Sequence, residues 1–175
     1  MVVRNFRELL HRIRAFAFDV DGVCTNNKVL ISESGLLLRN SNTRDGYAIH
    51  AAVRNHFPVA IITGGRTESV ATRFRALGVE DIFLAVNDKT VAFKEFLLIH
   101  DLQPEEVLYM GDDWPDYDVL QICGLPTCPS DAAPEIQSIC SYISPYAGGE
   151  GCVRDVIEQV LKVQNCWGKL ESAGQ

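Results

Sequence analysis

Two carboxylates, Asp19 and Asp21, follow the apolar run 15–18, and their spacing puts both on the same side of an extended segment. Gly22 then lets the chain turn. Thr63-Gly64-Gly65-Arg66 follows a second apolar run and offers a hydroxyl, backbone N–H groups and a helix start, a combination suited to holding an oxyanion. Gly111-Asp112-Asp113-Trp114-Pro115-Asp116 follows another and adds three carboxylates. Lys89, opening a helix, is the one cation well placed to reach the same end. Taken singly, each piece has an ordinary explanation as a turn, a cap or a solvated residue. Their order at successive strand ends makes them a set. Acids gathered at one sheet edge repel each other unless a cation is bound, and an all-oxygen donor set suits Mg²⁺ far better than zinc.

That set predicts phosphoryl chemistry. A divalent ion with Lys89 and Thr63 forms a pocket for a dianionic phosphate and screens the charge that would keep a carboxylate nucleophile away. Asp19 then attacks phosphorus. Asp21, sitting among like charges that favour its protonated form, donates to the leaving oxygen and afterwards activates the water that hydrolyses the aspartyl-phosphate. A bulky Trp114 beside the acids reads as a core anchor for its loop.

The elements that must position these residues are legible in the pattern. Apolar runs at 15–18, 59–62, 82–85 and 107–110 read as buried strands alternating with helices over 45–55, 67–77, 89–100, 117–123 and about 152–164. The fold class is α/β, a Rossmann-like parallel sheet sandwiched by helices, whose ligands gather outside the carboxyl ends of the strands. One segment breaks the alternation: residues 28–32 and 36–39 flank Glu33-Ser34-Gly35 as an inserted β-hairpin, about 28–40, more apolar than a solvated flap. It either folds back on its own domain or meets other subunits. Residues 1–168 read as one domain and 169–175 as a frayed tail.

Composition narrows the classes further. The 175 residues carry 16 Lys+Arg against 23 Asp+Glu, a formal net charge of −7, which argues against an electrostatic grip on nucleic acid or an acidic membrane. The six cysteines include no C-x-x-C pair and read as reduced thiols of a cytoplasmic protein. Phe6, Leu9, Leu10 and Ile13 share one face of a short amphipathic helix, and the segment lacks the apolar core of a signal peptide; a transit peptide is the rival reading. No apolar run is long enough to span a bilayer.

With those residues in hand, the chain resembles the haloacid dehalogenase (HAD) superfamily of phosphotransferases. The resemblance rests on Asp19-Val20-Asp21-Gly22 with Thr25, Ile61-Ile62-Thr63-Gly64, Lys89, and Gly111-Asp112-Asp113 with Asp116, and spans nearly the whole chain. Within it the chain is similar to the small capless branch that includes the phosphatases of 3-deoxy-D-manno-octulosonate 8-phosphate (KDO 8-phosphate), through the hairpin in place of a cap, Asn42-Thr43-Arg44-Asp45-Gly46, and Gly148-Gly149-Glu150-Gly151 followed by Arg154. The resemblance implies Asp19 as nucleophile, Asp21 as acid/base, and Mg²⁺ held by Asp19, Asp112 and the backbone carbonyl of Asp21. It implies Thr63, Gly64, Gly65 and Lys89 as phosphate ligands, with Asp113 and Asp116 supporting metal and lysine. It further implies a homotetramer built through the hairpins, each active site shielded by a neighbour.

A sugar acid phosphate also needs its carboxylate bound. Arg66, Arg73, Arg75 and Arg44 are the candidates, with Arg66 favoured by its place after the phosphate loop. The glycine-rich 148–151 stretch reads either as a cover for the cleft, with Arg154 near substrate, or as a plain connection. A sister activity on a nine-carbon sugar acid phosphate carries an acid after the Thr-Gly pair; Gly65 stands there in this chain and tilts the choice to the eight-carbon substrate. A receiver-like signalling domain is the rival of another class, but its phosphorylated Asp ends the third strand and has no acid two residues on. An inactive relative serving only in assembly is disfavoured by the intact Asp19, Asp21, Lys89 and Asp112.

Overall fold

A computed structural model describes residues 6–168. In chain order the elements are α1 (Phe6–Leu9), β1 (Ala15–Phe18), β2 (Leu30–Ile31), β3 (Leu37–Leu38), α2 (Thr43–Arg54), β4 (Val59–Ile62), α3 (Glu68–Arg75), β5 (Asp81–Phe83), α4 (Lys89–Ile99), β6 (Val107–Met110), α5 (Tyr117–Ile122), β7 (Leu125–Cys128), α6 (Pro134–Ile139), β8 (Tyr142–Ile143) and α7 (Cys152–Val163). Six strands form one parallel sheet in the order β5-β4-β1-β6-β7-β8, and β2 and β3 pair apart from it as an antiparallel hairpin.

β1 lies between β4 and β6, and every residue of these three strands is buried. Alternate side chains serve opposite cores. Phe16, Phe18, Ile61, Leu108 and Met110 pack with α2 and α7, while Ala17, Ala60, Ile62, Val107 and Tyr109 pack with α4 and α5. Phe18 is level with Ile61 on one side and Met110 on the other, so the residues that follow leave the sheet side by side. This register brings distant carboxylates to one place.

The sequence pattern misses β7, α6 and β8. Pro126 and Thr127 interrupt the apolar signal of β7, and β8 is only two residues long at the sheet edge. β5 occupies Asp81–Phe83 rather than 82–85, because the chain turns out through Ala85, whose φ is 55° and whose N–H donates to the Gly65 carbonyl. α2 begins earlier than expected because the Asn42 side chain accepts the N–H groups of Arg44 and Asp45. At the amino end, Leu10 and Ile13 are buried beneath α7, and their carbonyls accept from the Gln164 side-chain amide at 3.0 and 2.7 Å. The proposed tail, 169–175, and Met1–Asn5 lie outside the described residues.

The glycine-rich connection before α7 is a packed wedge. Gly149 N–H donates to the Val23 carbonyl, the Asn42 amide donates to the Gly149 carbonyl, and Gly148 N–H donates to Asp131. Arg154 is held by contacts within its own chain. Its side chain pairs with Glu158 and lies over Trp167, while its backbone N–H is capped by the buried Asp45. The connection thus braces the loop after β1 from behind.

A Cβ at Gly148 would fall 2.0 Å from the Gly22 carbonyl oxygen, whereas one at Gly35 in the hairpin turn would meet nothing within 4 Å and bear only the cost of a φ of +80°. Gly148→Ala is therefore expected to destabilise the fold by about 1–3 kcal/mol through overpacking and to lower activity. Gly35→Ala is expected to cost about 1 kcal/mol and leave activity intact. Urea denaturation of the two variants checks the order.

Candidate functional site

Asp19 follows the last residue of β1 in extended conformation, and the chain turns tightly through residues 20–24. Gly22 makes that turn with φ +91°, and it must be glycine for a second reason: a Cβ there would sit 2.0 Å from an Asp112 carboxylate oxygen. The Thr25 N–H donates to the Val20 carbonyl and closes the turn. Thr25 also reaches Asp21, its hydroxyl donating to Oδ1 at 3.4 Å.

Lys89 is the first residue of α4, whose start is capped by Asp88. Its buried Nζ lies 2.9 Å from Asp19 Oδ1 and 2.6 Å from Asp116 Oδ1. Asp116 also accepts from the buried Tyr109 hydroxyl at 2.6 Å and, through Oδ2, from the Asp112 N–H at 3.2 Å. Gly111 allows this close fold of the acidic loop, since a Cβ there would fall 2.3 Å from Asp116. Thr63, buried at the end of β4, accepts the Gly65 N–H on its hydroxyl at 3.0 Å, which curls the Thr-Gly-Gly turn tightly.

Asp19, Thr63, Gly65, Lys89, Asp112 and Asp116 line a cleft of about 480 Å³ together with Asp21, Asn27, Gly64, Val86, Asn87, Asp113 and Pro115. Among the described residues that line it, Lys89 is the only cation. Oxygen atoms of Asp19, Asp112 and Asp116 lie within 4.8 Å of one another. Burial, and then the Asp116 charge, raise the Asp19 carboxyl to about 7 against the pull of Lys89. Burial, and then the charges of Asp19 and Asp116, raise Asp112 to about 8. Burial opposes charge on Lys89, but the two carboxylates outweigh it and its net shift is upward. The site therefore holds more carboxylate than its one ammonium balances.

Asp21 departs from the sequence expectation. Its carboxylate is turned to the hairpin, where Arg39 Nε donates to Oδ1 at 2.6 Å and Nη2 to Oδ2 at 2.9 Å. The crowding of like charge falls on Asp19 and Asp112 instead. Sequence reasoning missed Arg39, which reads as the end of a hairpin arm, and Tyr109, whose hydroxyl interrupts an otherwise apolar strand and was the available signal. Asp113 lines the cleft while capping the Trp114 N–H at 2.8 Å. Trp114 is exposed and tilted against Tyr117, so it does not anchor the loop in the core.

None of the four candidate arginines lines the cleft. Arg66 follows Gly65 but is exposed, Arg73 donates to Ser41 beside a neighbouring apolar hollow, Arg75 pairs with Glu68 at the surface, and Arg44 lines a separate groove along α7. All six cysteines are free, and among the described residues no helix is long and apolar enough to cross a membrane.

No protein-family model matches the chain. Over 161 residues it is 37% identical to the 3-deoxy-D-manno-octulosonate 8-phosphate phosphatase of Yersinia pestis, an alignment covering 92% of this chain and 84% of the relative. The enzyme of the same name from Escherichia coli K12 is 36% identical over the same coverage. The crystal structure of the Yersinia pestis phosphatase superposes with a TM-score of 0.92 at 33% identity, over 95% of this chain and 90% of that one. That of the Moraxella catarrhalis phosphatase, in complex with magnesium, phosphate and KDO, superposes at 0.88 with 28% identity, over 91% and 92% of the two chains. A further structural relative, from Legionella pneumophila at 0.90 and 28% identity over 92% of this chain and 88% of that one, is described as a subfamily III A hydrolase of the HAD superfamily. With the acids, the threonine and the lysine already gathered at one sheet end, this likeness over nearly the full length places the chain in the 3-deoxy-D-manno-octulosonate 8-phosphate phosphatase family of the HAD superfamily.

Proposed function

We propose that the protein is a Mg²⁺-dependent phosphoric monoester hydrolase that converts KDO 8-phosphate to KDO and phosphate through an aspartyl-phosphate on Asp19. The observation that carries this reading is the buried contact of Lys89 with Asp19 at the mouth of the central strand, beside Thr63 and Asp112. The Moraxella relative, crystallised with magnesium, phosphate and KDO, supports the substrate, and Gly65 in place of an acid favours the eight-carbon over the nine-carbon sugar acid.

The donor set fits magnesium: hard carboxylate oxygens in surplus over the one ammonium, with Asp19 and Asp112 driven toward their protonated forms in its absence. Asp19, Asp112 and the Asp21 backbone carbonyl would hold the ion, with Asp113 and Asp116 in support. When bound, the ion neutralises the repulsion between the phosphate dianion and the carboxylates and polarises a phosphoryl oxygen. The remaining work belongs to the chain. Thr63, Gly64, Gly65 and Lys89 hold the phosphate, and Lys89 also fixes one oxygen of Asp19 for attack. An Asp19 oxygen bonds to phosphorus as the bond to the sugar oxygen breaks, and Asp21, entering this step as the neutral acid with one oxygen released from Arg39, gives that oxygen its proton. Asp21 then takes a proton from water, whose oxygen bonds to phosphorus as the bond to Asp19 breaks. Phosphate leaves and both carboxyl groups return to their starting states.

Assembly through the hairpin belongs to the same reading. Leu30, Ile31 and Leu36 are 68%, 70% and 63% exposed, and Val29, Leu37 and Leu38 are exposed beside them. Such an apolar strand pair calls for a cover. A homotetramer formed through it, with neighbours shielding the open cleft, supplies one, and the carboxylate-binding arginine then comes from Arg66 or from a neighbouring subunit. The free thiols support a cytoplasmic setting.

Asp19→Asn is expected to abolish Mg²⁺-dependent phosphate release from KDO 8-phosphate, and Asp21→Asn to slow it by about 10²–10⁴-fold. A colorimetric phosphate assay checks both, and turnover persisting in Asp19→Asn without metal would sink the mechanism. Glutamates at Leu36 and Leu38 should yield smaller species in sedimentation velocity; an unchanged mass would count against the hairpin interface.

The raised carboxyls set a pH dependence for the metal-free protein. Folding raises Asp19 to about 7 and Asp112 to about 8, from an ordinary value near 4. The folded form therefore holds these protons more tightly than the unfolded chain, and the stability they contribute is lost as pH rises through 7–8. Metal-free protein should melt at lower temperature at pH 9 than at pH 6, and added Mg²⁺ should raise the midpoint more at pH 9. Scanning calorimetry at the two values, with and without Mg²⁺, checks this, and an equal Mg²⁺ effect at both would contradict it.

A further inference from the structure

We propose that Arg39, at the base of the hairpin's second arm, is the positioning residue for Asp21, gripping both oxygens of its carboxylate and so tying the hairpin to the chemistry. The inference rests on the reading of Asp21 as the acid/base.

Asp21 stands on a turn rather than within a strand, and its other side-chain contact, from the Thr25 hydroxyl, is long at 3.4 Å. A single long hydrogen bond leaves the carboxylate free to rotate. The Arg39 fork removes that freedom: Nε and Nη2 approach separate oxygens at 2.6 and 2.9 Å, which fixes the carboxylate plane as well as its position. The guanidinium is itself anchored. Its side chain is only 12% exposed, and Nη1 donates to the Thr67 hydroxyl at 3.4 Å, just before α3. Nη2 would lie 3.8 Å from a Cβ at Gly65, so the fork sits beside the oxyanion turn. Arg39 comes directly after β3, so a shift of the hairpin is a shift of Asp21. A lysine would supply the charge without holding both oxygens.

Neither Lys89 nor Thr63 is among the partners that Arg39 contacts by hydrogen bond, so its loss should spare phosphate binding. Displacing a reacting group by about 1 Å costs about 10²-fold. Arg39→Ala is therefore expected to lower kcat for KDO 8-phosphate by about 10²-fold with KM little changed. Millimolar guanidinium should restore part of the rate in Arg39→Ala but accelerate neither the wild type nor Asp21→Asn. Arg39→Lys should recover little, and it repeats the kcat test should Arg39→Ala fail to fold. In an Asp21→Asn background, Arg39→Ala should cost little more, since the two residues act as a unit.

Wild-type kcat in Arg39→Ala, a rise in KM in place of the fall in kcat, or a full further loss in the Asp21→Asn background would each overturn the inference while Asp21→Asn itself remained slow. A fully active Asp21→Asn would instead remove the acid/base reading, and the inference with it.

Discussion

The contact between the Lys89 ammonium and the Asp19 and Asp116 carboxylates is the constraint to which the rest of the molecule is fitted. All three side chains are withdrawn from solvent, and removing one partner from such a buried pair costs about 3–5 kcal/mol because it strands the other's charge. One ammonium cannot balance this loop. Asp112 shares the same space, and the Tyr109 hydroxyl and the Asp112 N–H are both spent on Asp116. Burial first, and this surplus of charge second, raise the carboxyls of Asp19 and Asp112 to about 7 and about 8. A fold that buries its acids in this proportion is incomplete in charge and complementary to a hard cation and a phosphate entering together. Part of the affinity for both is thus built by folding, before either arrives.

Meeting that constraint requires close approaches, and these explain the glycines better than flexibility does. Gly22 and Gly111 stand where a Cβ would overlap Asp112 and Asp116 respectively, so each admits a carboxylate of the acidic loop that follows β6. Gly148 stands where the wedge before α7 meets the Gly22 carbonyl, and the same wedge accepts Asn42 and donates to Val23. The loop that carries Asp19 and Asp21 is therefore clamped between the acidic loop in front and the α7 connection behind. Its precision comes from neighbouring backbone, as a site built partly on loops requires.

Much of this was legible in the sequence because buried parallel strands announce themselves as short apolar runs, and the residue after each run is where polar chemistry must emerge. β1, β4 and β6 fall where the pattern puts them, and Asp19, Thr63 and Asp112 come together as their strand ends imply. What escaped reading depends on direction rather than spacing. β7 carries a proline and a threonine, so its burial is set by neighbours on both sides and not by its own pattern. The turn of Asp21 toward Arg39 follows from where the hairpin folds back, a tertiary fact with no local signature. The place of Arg66 directly after the phosphate loop likewise suggests that it faces the cleft, yet none of Arg44, Arg66, Arg73 and Arg75 lines it within one chain.

The hairpin gathers these threads. Its apolar strands are too exposed to be explained by packing on their own domain, and Arg39 at its base reaches back to the Asp21 carboxylate. On the proposed reading of the hairpin as an interface, one segment would cover a neighbour and order Asp21, and activity would follow assembly without a lid that must open and close. In a capless enzyme that coupling has a physical advantage. An open cleft on an isolated chain would expose the aspartyl-phosphate to bulk water and to any small phosphate ester. On the proposed assembly, the hairpin that presents apolar side chains to a neighbour is the one whose Arg39 already holds Asp21 within one chain, so a neighbour would screen the cleft while the hairpin orders the carboxylate. Selectivity and orientation then arise from the same buried surface.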